Sequence, residues 1–191
     1  MIDFDKLKPH TGPTVPSPLV PEDGLYLNDY GIWDGSRILL TPSRITKKFT
    51  RCFQTAWSQI PEQDRRTLKE FWGTDKPVMA GYRPKLTIVL NSVNLPLNLK
   101  AACRGGYELL FDAFVVDRDS ATSIVHAIAH ELGHAISYPH GWYKQHECRV
   151  NGEECVGCEC RAYSYMAAWG FDPFHDWLPK RKSLVERFTR C

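Results

Sequence analysis

The stretch Ile124-Val125-His126-Ala127-Ile128-Ala129-His130-Glu131-Leu132-Gly133-His134-Ala135-Ile136 decides how the rest of the chain is read. Ile124, Val125, Ile128, Leu132, Ala135 and Ile136 recur at helical spacing and make one apolar face. Asp119, Ser120 and Thr122 offer caps upstream, and Pro139 ends the pattern downstream. A helix is therefore predicted from about Ser120 to Ser137. Inside it lies the pattern H-E-x-x-H. Residues four apart share a helix face, so His130 and His134 can offer two imidazole nitrogens to one ion. Glu131 stands about 100° round the axis, within reach of a water on that ion's open side. Two fixed histidines, a third ligand from elsewhere and a carboxylate beside an open position suit hydrolysis by metal-activated water. The plainer alternative is a buried helix whose histidines are hydrogen-bonded in the core. A carboxylate in such a helix is costly to bury without a purpose, which favours the metal reading. His126, one turn before His130, reads as a supporting or core histidine rather than a ligand.

A chain of 191 residues can bury the core of one domain. Its net charge of +2 makes no general case for nucleic acid as a partner. No apolar run approaches the ~20 residues of a membrane span. The opening residues Met1 to Lys8 lack the apolar centre of a signal peptide, so a cytoplasmic location is expected. In that compartment clustered cysteines mean metal more often than disulfides.

Residues 1–23 are expected to form an arm, because Pro9, Pro13, Pro16, Pro18 and Pro21 exclude regular helix. A domain covering 24–191 follows. Leu25–Trp33 and Ser36–Leu40 flank Asp34-Gly35 and read as a hairpin. Thr41-Pro42 opens a helix, with Thr41 as cap, carrying Ile45, Phe49, Cys52, Phe53, Ala56 and Trp57 on one face. Lys47, Lys48 and Arg51 fall on its other faces and read as solvated. Pro61 starts a second helix that runs to about Trp72 and stops at Gly73. Pro84–Asn91 and Tyr107–Asp112 read as strands. Residues 143–160 look like a cysteine-rich loop. Cys158 to Gly170 is a further helix, and the basic tail, with Lys180, Arg181 and Lys182, reads as a solvated terminal helix.

Two positions compete to be the third ligand. Glu159 heads the later helix, with the small Ala162 three residues on, where two helices can approach. A strand, a motif helix and a later helix bearing a glutamate resemble the gluzincin class of metallopeptidases. Glu159-x-x-Ala162, ending in Trp169-Gly170-Phe171-Asp172, is similar to the E-x-x-A helix of ImmA/IrrE-type zincins. The resemblance covers about residues 84–172 and implies a zincin-like α+β domain. That domain has a small mixed sheet, the H-E-x-x-H helix and a second helix carrying the third ligand. It further implies Zn²⁺ held by His130, His134 and Glu159, with Glu131 as general base and a peptide or protein as substrate. By the same resemblance, Tyr107–Asp112 is the edge strand that pairs with the peptide. Tyr163, Tyr165, Tyr138 and His140 are candidates to assist at the oxyanion.

The competitor is His140. His130 to His140 almost matches the metzincin pattern, with Ser137 where that family has a glycine, and Ser164-Tyr165-Met166 resembles its Met-turn. His140-Gly141 is also faintly similar to SprT-type metallopeptidases. His146, Glu147, Glu153 and Glu154 are further alternatives. Cys155-Val156-Gly157-Cys158 is a C-x-x-C knuckle that fits half a structural zinc site, with Cys148, His146 and Cys160 nearby; disulfides are the other reading. Against the enzyme stands a non-catalytic module that keeps the fold for regulation or interaction and uses zinc for structure.

Overall fold

The computed structural model describes residues 2–11, 16–75, 85–91, 100–140, 147–150 and 153–172. The fold is α+β. A six-stranded mixed sheet runs in the order β1 (Ser17–Val20), β2 (Leu25–Trp33), β4 (Thr87–Asn91), β6 (Glu108–Asp112), β5 (Ala101–Arg104), with β3 (Ile38–Leu39) paired to β2. The β2–β4 and β4–β6 pairs are parallel; β1–β2, β2–β3 and β5–β6 are antiparallel. The helices among the described residues are α1 (Ser43–Gln59), α2 (Glu62–Trp72), α3 (Ala113–Arg118), α4 (Ala121–Ser137) and α5 (Gly157–Ala168). None of them is long and apolar enough to cross a membrane.

The central strands are apolar on both faces. Ile88, Leu90, Leu109 and Phe111 join the main core, while Val89 and Leu110 alternate to the other face and are also buried. Strands flanked on both sides in this way read as continuous apolar runs. α1 lays Phe49 against Phe111 of β6, ring centroids 4.8 Å apart, and Trp57 stacks on Trp72 of α2. The Trp72 Nε1–H donates to the Gly106 carbonyl at 2.7 Å, tying α2 to the β5–β6 turn.

Several sequence expectations change here. The segment before residue 24 is more than an arm: Ser17–Val20 pairs with β2, and Leu19 and Val20 are buried. Pro18 is tolerated because β1 lies at the sheet edge and its register shifts there. Thr41 does not cap α1; its hydroxyl donates to Asp29 Oδ1 at 2.6 Å, and Pro42 holds the N-cap position. Lys48 is not simply solvated, because its ammonium donates to the Asp119 carbonyl at 2.6 Å. Tyr107–Asp112 is not an edge. β6 is paired on both sides, and the outer strand is β5. Residues 147–150 and 153–156 are not a plain loop but the two strands of a small sheet, β7 (Glu147–Val150) with β8 (Glu153–Val156). Ser164-Tyr165-Met166 lies within α5 and makes no turn. The expected terminal helix, with Lys180, Arg181 and Lys182, lies outside the described residues.

Candidate metal centre

α4 is fixed at its start by side chains. The Ser120 hydroxyl accepts from the Ser123 N–H at 3.1 Å, and Lys100 bonds Asp119 Oδ2 at 2.7 Å. Its apolar face, with Ile124, Ile128, Leu132, Ala135 and Ile136, is buried. This orientation leaves His130 and His134 on the face that meets α5.

α5 comes close because both contact residues are small. A Cβ on Gly133 would stand 2.7 Å from the Ala162 carbonyl oxygen and 2.9 Å from its Cα. The far end of α5 is held by the Trp169 Nε1–H, which donates to Asp64 Oδ2 of α2 at 2.7 Å. Gly170, at φ 83°, then ends the segment in a left-handed turn that glycine adopts freely.

These contacts bring His130, His134 and Glu159 together. His130 Nε2 lies 3.1 Å from Glu159 Oε2, and His134 Nε2 lies 3.3 Å from Glu159 Oε1. The two Nε2 atoms are 3.0 Å apart. Four-coordinate zinc with bonds of about 2.0–2.1 Å separates its ligand atoms by about 3.3 Å, so the donor triangle fits the ion. Among the described residues this is the group of ligating side chains close enough to share a metal. Glu159 keeps 38% of its side-chain surface exposed, so solvent reaches the group.

Glu131 stands next to the triangle and is only 6% exposed. Burial, together with the charge of Glu159, raises its carboxyl pKa against the opposing pull of His130 and His134. The Cys103 backbone N–H donates to it, so β5 orients the carboxylate. Nothing in the residues Ala101–Arg104 signals this contact, because the segment has no β-branched residue to mark a strand. Tyr163, one turn beyond Glu159, lays its ring 4.7 Å from that of His130. Tyr165 packs on Trp169, and burial with the Asp64 charge pushes its pKa up to about 12. Tyr138 covers Gly106, whose φ of 72° and lack of a side chain admit the ring.

His140 is exposed in the turn after α4 and is not part of the group. His126 hydrogen-bonds the Thr122 carbonyl at 2.7 Å and meets the edge of Phe171. His146 lies outside the described residues, and Glu147, Glu153 and Glu154 stand on the separate two-stranded sheet.

Any metal binding by the group would depend on pH, because the group titrates. Burial works against the His134 imidazolium, but the hydrogen bond it donates to Glu159 and the charges of Glu131 and Glu159 outweigh it, and its pKa is raised above 6.5. Burial likewise opposes the Glu159 carboxylate, but its bonds to both histidines hold its pKa well below 4.5. In the metal-free protein the His134 contribution is full below 6.5 and fades as pH rises through its raised value. The Glu159 contribution is full above 4.5 and fades as pH falls through its lowered value. Chelated protein is therefore expected to gain most from this pair between those limits, as melting temperature against pH would show. Zinc requires neutral imidazole, so its affinity is expected to fall about tenfold per pH unit once His134 holds its proton. Competition titrations at pH values on either side of neutrality test this; a flat profile would contradict it.

No protein-family description, curated protein or solved structure matches this chain.

Proposed function

We propose that the chain is a zinc-dependent peptidase with a zincin-like site, in which His130, His134 and Glu159 hold the metal and Glu131 is the general base. The supporting observation is the convergence of three donor atoms from two helices, with a buried carboxylate beside them that is not one of the donors. Bound there, zinc supplies an acidified water and a Lewis acid for the scissile carbonyl. Glu131 takes a proton from the attacking water and delivers it to the leaving amine. The Cys103 amide holds the Glu131 carboxylate in one orientation. Tyr163 steadies the His130 ring by packing against it.

The outer strand β5 gives the substrate a place to bind. An extended peptide added beside β5 gains main-chain hydrogen bonds and passes close to Glu131, which already touches β5 at Cys103. A purely structural metal would leave Glu131 buried at a cost with no task to perform.

Zinc-loaded protein is expected to cut members of a peptide library made from a digested proteome. Chelated protein and a His134→Ala variant are expected to leave the library intact. Cleavage that continues unchanged in both, or a library left whole by the loaded protein, would overturn the proposal.

A further inference from the structure

α2 carries four charged residues along one face. Glu62, Arg65, Arg66 and Lys69 recur three and four apart. With Asp23, from the short turn before β2, they line a cleft of about 210 Å³. The cleft shares no residue with the candidate metal centre. Two of its cations are engaged. Lys69 Nζ donates to Asp23 Oδ1 at 2.6 Å, and Arg66 pairs with Glu62 at 3.1 Å. Asp23 is held at its other oxygen too, where Oδ2 accepts from the Trp57 Nε1–H at 2.7 Å. Arg65 is different. It is half-buried, and its Nε–H is closed off from solvent with no acceptor among the described residues. Its charge acts on Asp23, which Lys69 and Trp57 already hold. Native structures avoid a shielded donor without a partner, and the common resolution is an ion or a water held at the site.

The charge balance names the ion. The Arg66 and Glu62 side chains are 58% and 78% exposed, and an exposed pair at this spacing is weak, so Arg66 can change partner. With Glu62 turned out to water, Arg65, Arg66 and Lys69 face the single carboxylate of Asp23, an excess of two positive charges. A phosphate monoester carries about −1.5 to −2 charges at pH 7, and guanidinium forks match its oxygens two at a time. The volume sets the size. Pockets for drug-sized ligands run to about 300–1,000 Å³, so this cleft takes a phosphate group and little beyond it. We propose that the cleft on α2 binds a phosphate group, either the free ion or a monoester of a small molecule. Arg65 and Arg66 are its main donors, and Lys69, fixed by Asp23, completes the positive wall. The inference does not depend on the peptidase reading.

Calorimetric titration with inorganic phosphate at constant ionic strength tests this, on full-length protein stripped of metal and dialysed free of chelator. Stripping keeps phosphate from the candidate metal centre. A Kd of about 1 mM or tighter is expected, with a matching rise in melting temperature. Arg65→Met and Arg66→Met should each weaken binding about tenfold or more, as loss of a charge-assisted hydrogen bond does. Arg66 is exposed, so its variant reads the site even if Arg65→Met fails to fold. Lys47→Met, on the exposed side of α1, should bind as wild type does. Acetate should move the melting temperature no more than chloride. Phosphoserine that binds at least as tightly as inorganic phosphate assigns the monoester, and phosphoserine that binds more weakly assigns the free ion. No binding at about 10 mM phosphate overturns the inference. So does a phosphate effect equal to that of chloride at matched ionic strength, or unchanged affinity in Arg66→Met or in a folded Arg65→Met.

Discussion

Glu131→Gln is expected to keep its zinc and to lose about 10²–10⁴-fold in peptide hydrolysis, the usual contribution of a positioned general base. The substitution preserves shape. The amide oxygen can still accept from the Cys103 N–H, so β5 keeps its contact and the donors keep their places. What disappears is the ability to take a proton. The loss should fall on kcat, with KM nearly unchanged, because the proton moves only in the reacting complex. Stability should move the other way. In the chelated protein burial raises the Glu131 pKa, so the ionised carboxyl lowers stability at neutral pH, and that cost vanishes as pH falls below 4.5. A neutral amide avoids it, and the chelated variant should melt no lower than chelated wild type at pH 7. Metal content, steady-state kinetics and a melting curve test the three parts together. A variant that binds zinc and cleaves at the wild-type rate removes Glu131 from the mechanism.

The elements whose local signals are self-contained were legible from residues alone. α4 carries its cap at Ser120, its apolar stripe and its stop at Pro139 within one segment. α2 ends where Gly73 takes a left-handed φ of 76°. The Asp34 turn holds itself, its side chain accepting from the Ser36 and Arg37 amides. β5 was not legible, because Ala101-Ala102-Cys103-Arg104 has no β-branched residue and owes its extension to pairing with β6. Sheet order is equally a tertiary fact, so the outer strand was assigned to the wrong half of the β5–β6 pair. Thr41 looked like a cap because nothing local shows Asp29, which takes its hydroxyl from across the hairpin. At the candidate centre, the helix period alone aligned His130 with His134. That Glu159 rather than His140 meets the two histidines depends on the distance between two helices, which spacing along the chain does not contain.

That distance is set by Gly133, and Gly133→Ala is expected to weaken zinc binding by about 10–100-fold, the range seen when residues supporting a metal ligand are changed. In an isolated helix the change would be favourable, since alanine is better than glycine by about 1 kcal/mol. Here the new methyl would meet the Ala162 carbonyl oxygen at 2.7 Å, its Cα at 2.9 Å and its carbonyl carbon at 3.2 Å. All three are backbone atoms of a helix, so no rotamer change relieves the contact. α5 must move outward by roughly half an ångström, and overpacking of this kind costs about 1–3 kcal/mol. Glu159 lies one turn from Ala162 on the same helix and moves with it. Zinc–ligand bonds tolerate about 0.2 Å, less than that displacement. Trimming the neighbour should not help. Ala162→Gly removes a side chain, while the crowded atoms are main chain, so the Gly133→Ala/Ala162→Gly pair should bind zinc no better than Gly133→Ala alone. Competition titrations and melting curves of the three variants decide it. Wild-type affinity in Gly133→Ala, or full rescue by Ala162→Gly, would mean that backbone contact between α4 and α5 does not set the position of Glu159.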